Sequence, residues 1–269
     1  MVGLVVKLGG GEGIDPHPAL EDLAARWRAG ERWVLVHGGS FALSSLQRRL
    51  GLEPRFVTTQ SGHRSRFTDA ASRDALAMAL RAVNLDLVGR LHRLGVNAVG
   101  LSGVDGRLVS GPRKDTLIAV EDGKRRVLRG DHSAKAEHVN VGLLRLLLDG
   151  GYAPVVTIPI LADDGEPCNA DGDRVAALVA ASLRAPTLVV LSNVPGLLRD
   201  VSDPATLVPE LRAHQVEEAL ALASGGMRKK LMAAREGLDG GIERVIFATA
   251  NRARPVTAAL DGGGTRLVR

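Results

Sequence analysis

Lys7, the first lysine of the chain, lies beside a run of glycines, and this combination could bind a phosphate group. Only six of the 35 basic residues are lysine, so arginine is the ordinary cation here and Lys7 is an unusual choice. Lys7 lies near the end of an apolar run and is followed by glycines at 9, 10 and 11. Glycines let main-chain N–H groups approach an anion closely, and an adjacent ammonium group neutralises phosphate charge. A plain strand followed by a tight turn has the same pattern, so this stretch alone does not decide.

A second glycine pair follows the next apolar run. Residues 33–37 predict a buried strand that ends at Gly38 and Gly39, before a predicted helix. Ligands of open α/β sheets bind beyond the carboxyl ends of parallel strands, where helix N-termini favour anions. Two glycine loops at one sheet edge therefore predict a phosphate site.

Two later stretches carry further candidate groups. Residues 169–173 (Asn-Ala-Asp-Gly-Asp) precede a predicted helix. Their side chains fit three roles: capping that helix, organising a metal ion, or orienting cations around phosphates. Gly226 and Met227 open another predicted helix, which brings Lys229 and Lys230.

The elements that position these residues alternate along the whole chain. Strands are predicted near residues 4–8, 33–37, 97–103, 155–158, 187–191, 245–248 and 265–268, with helices between most of them. One long helix, capped by Thr68-Asp69, extends to about Leu94, and another is predicted from about Ala136 to Asp149. This alternation predicts one domain over residues 1–269: a three-layer α/β/α sandwich with an open, mainly parallel sheet.

Composition narrows the classes of function. No apolar run approaches a membrane span, and a single cysteine, Cys168, excludes an internal disulfide framework, so we expect a cytoplasmic protein without membrane attachment. The net charge of +5 indicates an acidic partner or substrate. Nucleic acid is disfavoured because only 3% of residues are aromatic. A nicotinamide oxidoreductase is disfavoured because Asp15-Pro16 and a helix replace the dinucleotide fingerprint.

Three segments have two interpretations each. Residues 54–67 predict a polar hairpin or lid, with His63, Arg64 and Arg66 near its end. Residues 107–135 combine short β-like pieces with eight basic and four acidic side chains, which fits either a solvated hairpin or a docking surface. A leucine-rich stripe from Leu76 to Leu91 on the long helix fits either the core or a dimer interface.

Five ordered blocks together resemble the amino acid kinase family, which phosphorylates carboxylates and similar groups with ATP. The blocks are Lys7-Leu8-Gly9-Gly10, His37-Gly38-Gly39, Arg66-Phe67-Thr68-Asp69, Asn169 through Asp173, and Gly226-Met227 followed by Lys230. Each block alone is weak, whereas the ordered set covers nearly the whole chain. The set is most similar to the acetylglutamate kinase branch.

The resemblance implies a role for each matching residue. Lys7 and Lys230 stabilise the transferring phosphoryl group, and Asp173 holds both lysines. The substrate is bound by Gly38, Gly39, Arg66 and Asn169. The nucleotide is bound by Lys7, Gly9, Gly10, Ser192, Asn193, Met227 and Lys230. The four glycines Gly9, Gly10, Gly38 and Gly39 donate backbone N–H groups. Apart from the resemblance, the place of His37 at a strand end favours a role in positioning a loop over a role in catalysis. Mg²⁺ accompanies ATP and is held mainly by phosphates, with no protein metal ligands.

Within that branch the chain is most similar to kinases that act on aminoadipate linked to a small acidic carrier protein. The similarity lies in residues 61–66, 169–173 and 191–196. It implies a phosphotransferase with a carboxyl acceptor (EC 2.7.2 type) that makes the acyl phosphate of carrier-linked L-2-aminoadipate in lysine biosynthesis. An N-acetyl-L-glutamate 5-kinase of arginine biosynthesis, or dual activity on carrier-linked glutamate, stays open. Uridylate and aspartate kinases are disfavoured by the Arg66 and Asn169 blocks.

The resemblance also implies an assembly and a division of labour. We expect a homodimer packed through the long helix. We expect residues 1–169 to form a substrate-binding lobe and residues 170–269 a nucleotide-binding lobe.

Overall fold

Helices and strands alternate through the computed structural model, which describes residues 2–59, 64–121, 124–223 and 225–269. The helices are α1 His17–Arg28, α2 Ser40–Arg49, α3 Ala70–Arg93, α4 Val141–Asp149, α5 Gly172–Leu183, α6 Val216–Leu222, α7 Gly225–Asp239 and α8 Pro255–Leu260. The strands are β1 Leu4–Leu8, β2 Trp33–His37, β3 Phe56–Thr58, β4 Arg64–Arg66, β5 Ala98–Ser102, β6 Val109–Gly111, β7 Arg113–Glu121, β8 Lys124–Ala134, β9 His138–Val139, β10 Ala153–Thr157, β11 Ile160–Ala162, β12 Pro167–Cys168, β13 Thr187–Ser192, β14 Glu210–Arg212, β15 Arg244–Thr249 and β16 Thr265–Val268.

The main sheet has eight strands in the order β14-β16-β15-β13-β1-β2-β10-β5. The six strands from β15 to β5 are parallel, and β16 pairs antiparallel with β15. β1 lies between β13 and β2, with Lys7 opposite Val190 and Val36. The carboxyl ends of the parallel strands therefore lie at one edge of the sheet, together with the two glycine loops that follow β1 and β2.

Helices cover both faces of this sheet. Because successive strand side chains point to opposite faces, Leu4, Val6 and Leu8 pack toward the layer of α1, α3 and α8. Val5 points to the other layer, which contains α4, α5 and α7. Lys7 shares the face of Val5 and therefore points toward the layer of α5. The predicted three-layer α/β/α sandwich is confirmed.

Two hairpins and a small sheet lie beside the main sheet. β3 and β4 form one hairpin, and β7 and β8 form a longer one that joins the first through a bridge between Thr59 and Ala119. β12, β11, β6 and β9 form a four-stranded sheet. The prediction of short β-like pieces over residues 107–135 was wrong, because 113–121 and 124–134 are long paired strands.

One helix prediction needs correction. Helix α4 begins at Val141 rather than near Ala136, because residues 138–139 pair with β6 and the Asn140 side chain caps the helix by accepting from the Leu143 N–H. Helix α1 begins at His17, with Pro16 at the N-cap position. The long helix α3 begins as predicted: the Asp69 side chain accepts a hydrogen bond from the Ser72 N–H.

The leucine stripe of α3 belongs to the core. Leu76, Leu80, Leu87 and Leu91 are all buried within the chain. Met78 and Leu85 lie on the other side of the helix and are 53% and 72% exposed. The stripe therefore cannot be the surface through which α3 contacts a second copy.

Candidate functional site

A buried cluster of two lysines and one aspartate lies at the carboxyl end of β1. The Nζ atom of Lys7 lies 2.7 Å from Oδ1 of Asp173, and the Nζ atom of Lys230 donates to Oδ2 at 3.2 Å. Lys7 comes from β1, Asp173 from the first turn of α5, and Lys230 from α7. Asp171 caps α5 by accepting from the backbone N–H groups of Asp173 and Arg174.

The charge of Asp173 is set by this cluster. Burial raises the pKa of its carboxyl group, but the ammonium groups of Lys7 and Lys230 outweigh burial and hold the pKa at about 2. The carboxylate is therefore ionised at neutral pH and holds two cations, of which Lys7 lines the neighbouring cleft. Such an arrangement can stabilise negative charge that moves between two oxygen atoms.

The two glycine loops touch each other beside this cluster. A Cβ atom on Gly10 would lie 2.1 Å from the backbone nitrogen of Gly39, so only glycine fits there. The Gly10 carbonyl accepts from the N–H of Phe41 and from the hydroxyl of Ser40, at 2.8 and 3.0 Å. These bonds join the first loop to the start of α2.

The resemblance implies that four glycine N–H groups bind anions, but in the structure two of these four groups already have an acceptor within the chain. The N–H of Gly9 already donates to the Leu191 carbonyl at 2.8 Å, and that of Gly38 donates to the Leu8 carbonyl at 2.9 Å. These bonds continue the parallel ladder beyond the strand ends. Within the described residues, the N–H groups of Gly10 and Gly39 have no such acceptor, so these two remain for an anion.

His37 is a buried, neutral residue at the end of β2. Asn84 donates from Nδ2 to the Val155 carbonyl and to Nε2 of His37. The imidazole proton is therefore on Nδ1, which donates to the Gly38 carbonyl at 3.0 Å. Burial lowers the pKa of His37 to about 4, the Gly38 bond partly opposes this, and the charge of Lys7 adds to it. Its contacts are those of a residue that orients the second glycine loop.

Arg66 and Asn169 face the same cleft as the lysine cluster. Arg66 donates to Oε1 of Gln47 at 2.5 Å and to the hydroxyl of Ser44 at 2.9 Å, and its guanidinium lies over the ring of Phe56. Asn169 donates from Nδ2 to the Thr68 hydroxyl at 3.1 Å. The structure thus brings Lys7, Gly10, Arg66, Asn169 and Asp173 to one cleft.

The cleft has a volume of about 1280 Å³ and a basic lining. Its cationic side chains are Lys7, Arg48, Arg66, Lys114, Lys135, Arg174 and Lys229, and its acidic ones are Glu12, Asp171 and Asp173. Sequence reasoning treated Lys114 and Lys135 only as members of a basic segment. The signal that could have found them is the rarity of lysine, because four of the six lysines line this cleft.

Three predicted nucleotide-binding residues lie away from this cleft. Ser192 ends β13, is buried, and accepts from the N–H of Ala250 through its carbonyl. Asn193 follows it and is exposed, while Met227 packs against the core from α7. Ser192, Asn193 and Met227 do not line the cleft. Gly9 and Lys230 are not in its lining either, although Lys230 donates to Asp173, which is part of that lining.

In the part of the chain that the structure describes, no group of three or more His, Cys, Asp and Glu side chains is placed to hold a metal ion. No described helix is both long enough and apolar enough to cross a membrane.

The family comparison agrees with the five sequence blocks. The model of the amino acid kinase family matches residues 3–248. "[LysW]-aminoadipate kinase" of Deinococcus radiodurans is 51% identical over 263 residues, covering 97% of this chain and 90% of the relative. The protein of the same name from Thermus thermophilus is 46% identical over 265 residues, covering 97% and 98%. A putative [LysW]-aminoadipate/[LysW]-glutamate kinase of Nitrosopumilus maritimus is 33% identical, covering 96% of each chain.

Solved structures share the fold at low sequence identity. N-acetylglutamate synthase from Neisseria gonorrhoeae superposes with a TM-score of 0.81 at 24% identity, covering 100% of this chain and 60% of that one. Carbamate kinase from Giardia lamblia bound to AMP-PNP superposes with a TM-score of 0.67 at 16% identity, covering 98% of each. These similarities concern the fold alone.

Proposed function

The chain belongs to the amino acid kinase family, and from this premise we propose that it transfers the γ-phosphoryl group of ATP to the side-chain carboxylate of L-2-aminoadipate linked to an acidic carrier protein. The product is an acyl phosphate, and the reaction belongs to lysine biosynthesis. The observation that carries the proposal is the buried Lys7–Asp173–Lys230 cluster, together with two relatives named for aminoadipate at 51% and 46% identity.

The chemistry needs charge stabilisation more than proton transfer. A carboxylate oxygen of aminoadipate attacks the γ-phosphorus, the new O–P bond forms, and the bond to the β–γ bridging oxygen breaks with its electron pair leaving on ADP. No general base is required, because the attacking carboxylate is already ionised at neutral pH. Lys7 and Lys230 stabilise the charge on the phosphoryl oxygens, and Asp173 keeps the two ammonium groups from separating.

Arg66 and Asn169 bind the carboxylate that does not react. Arg66 presents a planar guanidinium that suits a carboxylate, and Gln47 and Ser44 hold it in place. Gly38 and Gly39 lie between this clamp and Lys7, where the N–H of Gly39 is left for an anionic oxygen. The reacting carboxylate then lies near Lys7 while the other lies near Arg66.

We place the nucleotide on the lobe formed by residues 170–269, with the substrate on residues 1–169. Gly9 and Gly10 flank the phosphates, and Ser192, Asn193 and Met227 contact the rest of the nucleotide. Both oxygens of Asp173 face lysines and Oδ1 of Asp171 caps α5, so we assign Mg²⁺ to the ATP phosphates rather than to a protein cage.

The exposed face of the long hairpin is our candidate for the carrier surface. Ile118 on β7 lies opposite Val127 on β8, and both are exposed. Arg125 and Arg129 flank Val127 on the same face of β8, because side chains two residues apart share a face. An apolar pair between arginines suits an acidic protein surface. His63 and the side chain of Arg64, which belong to the predicted polar hairpin or lid, lie outside the described residues.

We also propose a homodimer that uses the solvent-facing side of α3. Met78, Ala82 and Leu85 are one turn apart and exposed, and Phe41 on α2 extends the apolar surface. A second copy covers this surface if α3 packs against its symmetry mate.

A hydroxylamine trap tests the proposed reaction, because acyl phosphates react with hydroxylamine to give hydroxamates. The enzyme is incubated with MgATP and, in separate assays, carrier-linked aminoadipate, carrier-linked glutamate and N-acetylglutamate. We expect the fastest hydroxamate formation with carrier-linked aminoadipate, and formation slower by about 10²-fold or more with Lys230→Ala enzyme. Turnover of N-acetylglutamate alone would replace the proposal with the arginine-biosynthetic activity.

A further inference from the structure

Thr68 joins three segments of the chain beneath the cleft. It is buried, and its N–H donates to Oδ1 of Asp131 at 3.0 Å. Its carbonyl accepts from the N–H of His132 at 2.7 Å. Its hydroxyl accepts from Nδ2 of Asn169 at 3.1 Å. The N–H, the carbonyl and the hydroxyl oxygen of this threonine are therefore all engaged with β8 or with Asn169.

Strand β8 also fixes the backbone of Asn169. The N–H of Asn169 donates to the His132 carbonyl at 2.7 Å, and the Asn169 carbonyl accepts from the N–H of Ala134 at 2.8 Å. With the backbone held on both sides, the remaining freedom is the rotation of the side-chain amide. An amide that turns by half a revolution exchanges its oxygen, which accepts, with its nitrogen, which donates two bonds.

In the structure the Thr68 hydroxyl oxygen accepts from Nδ2 of Asn169, and this bond sets the orientation of the amide. We propose that Thr68 is a positioning residue that takes one N–H of the Asn169 amide, so that the second N–H is left for the unreactive carboxylate of the substrate. The inference rests on the proposed function in one respect, namely that Asn169 binds a carboxylate. Asp131 supports the arrangement from beneath, because it holds the backbone of Thr68 against β8.

The condition of Asp131 is consistent with a supporting role. Its side chain is buried, and within the described residues its Oδ2 atom has no hydrogen-bond partner. Burial raises the pKa of this carboxyl group, which the Thr68 N–H bond partly opposes. A buried carboxylate with one unpaired oxygen costs stability. The bond from the Thr68 N–H to Oδ1 of Asp131 holds the backbone of Thr68, and a side-chain bond from Ser133 also favours the charged form of Asp131.

The test compares Thr68→Val with Thr68→Ser. Valine keeps the shape of threonine and the backbone bonds but lacks the hydroxyl, whereas serine keeps the hydroxyl. We expect Thr68→Val to raise KM for the carboxylate substrate about 10-fold and to leave KM for ATP within about twofold, since one bond to a charged group is lost. Thr68→Ser should restore the wild-type KM. An unchanged substrate KM in Thr68→Val would overturn the inference.

A substrate analogue separates positioning from simple loss of stability. In this analogue the unreactive carboxylate is converted to a primary amide, so the group that Asn169 would bind is already altered. We expect Thr68→Val to add little to the penalty that wild type shows with the analogue, because both changes break one interaction. Fully additive penalties would contradict the positioning role. If Thr68→Val does not fold, Thr68→Ala is compared with Thr68→Ser in the same way.

The outcome is distinguishable from failure of the proposed function. If wild type phosphorylates N-acetylglutamate instead of carrier-linked aminoadipate, the carrier proposal fails. The Thr68 comparison then proceeds with N-acetylglutamate, which also has an unreactive carboxylate. If wild type uses carrier-linked aminoadipate and Thr68→Val matches it in every constant, only the positioning role fails.

Discussion

Lys7 Nζ and Asp173 Oδ1 lie 2.7 Å apart, although Lys7 belongs to β1 and Asp173 to α5, which are far apart in the sequence. The alternation of β1 turns Lys7 toward the layer of α5, and the Asp171 cap starts α5 at a point where Asp173 occupies its first turn. Strand register and helix capping therefore bring the pair together. Lys230 completes the cluster from α7.

Removal of either lysine should slow phosphoryl transfer much more than it weakens ATP binding. Without one ammonium group the transferring phosphoryl loses a charge that stabilises its transition state, so we expect kcat to fall by about 10²-fold or more in Lys7→Ala and in Lys230→Ala. KM for ATP should change less. Arg228→Ala on the same turn of α7 is the matched control, because Arg228 is exposed and does not contact Asp173. Near-normal kcat in Lys7→Ala would remove the proposed site.

His37 should make the fold sensitive to acid. Its pKa is about 4 in the folded chain, chiefly because of burial, against an ordinary value of 6.5. Between these values the unfolded chain binds a proton that the folded chain does not, so stability falls as the pH drops from 6.5 towards 4. By pH 5 the loss from His37 alone amounts to about 2 kcal/mol.

Urea unfolding at pH 7.5 and pH 5 measures this effect. We expect the unfolding free energy of wild type to decrease more between the two pH values than that of His37→Gln, which has no titrating ring. His17→Gln is the control, because His17 is exposed and should leave the wild-type pH dependence in place. Equal decreases in wild type and His37→Gln would show that His37 does not carry the effect.

Sequence predicted the parts of the site that depend on local pattern. Lys7, the glycine loops and Asn169 belong to short motifs at strand or helix ends, and both strand and helix ends follow from apolar runs and caps. The sequence did not reveal that the N–H groups of Gly9 and Gly38 donate to carbonyl oxygens of neighbouring strands, because those bonds depend on which strands are neighbours. The Thr68–Asp131 bond was missed for the same reason: it joins positions far apart in the chain.

The sequence leaves open whether the leucine stripe of α3 lies in the core or in a dimer interface. The spacing of Leu76, Leu80 and Leu87 identifies an apolar stripe, but it does not distinguish burial in the chain from burial in a dimer. Only the packing of α3 on the sheet shows that the stripe is internal. The exposed side carries Met78 and Leu85, separated by polar residues, and so lacks a strong pattern.

The dimer proposal predicts a specific effect of charge on α3. Leu85→Glu places a carboxylate in the proposed interface, where desolvation would be costly, so we expect a monomer by sedimentation velocity. Leu146→Glu on α4 is the matched control, because Leu146 is 70% exposed and Leu85 is 72% exposed. Leu146→Glu should sediment as wild type. If Leu85→Glu and wild type both remain dimers, α3 is not the interface.

The last prediction concerns the hairpin and the carrier. Arg125 and Arg129 flank the exposed Ile118–Val127 pair, whereas Arg126 lies on the opposite face of β8 beside Ala119, which packs on Val57 and Phe67. For docking together with Arg125, the structure therefore favours Arg129 over the adjacent Arg126. Exposed charges steer an oppositely charged protein into contact. Near physiological ionic strength, salt screens this attraction between charges more than about 8 Å apart.

Reversing both arginines should weaken only the carrier-linked reaction. We expect Arg125→Glu/Arg129→Glu to raise KM for carrier-linked aminoadipate at least about 10-fold at low salt and to flatten its salt dependence, because attraction becomes repulsion. KM for ATP should stay within about twofold. Arg28→Glu/Arg93→Glu is the matched control: it makes the same change in net charge at exposed positions on α1 and α3, which precede strands and so lie at the edge away from the cleft. An equal rise in both double variants would point to net charge, and no rise in either would leave the hairpin a solvated surface.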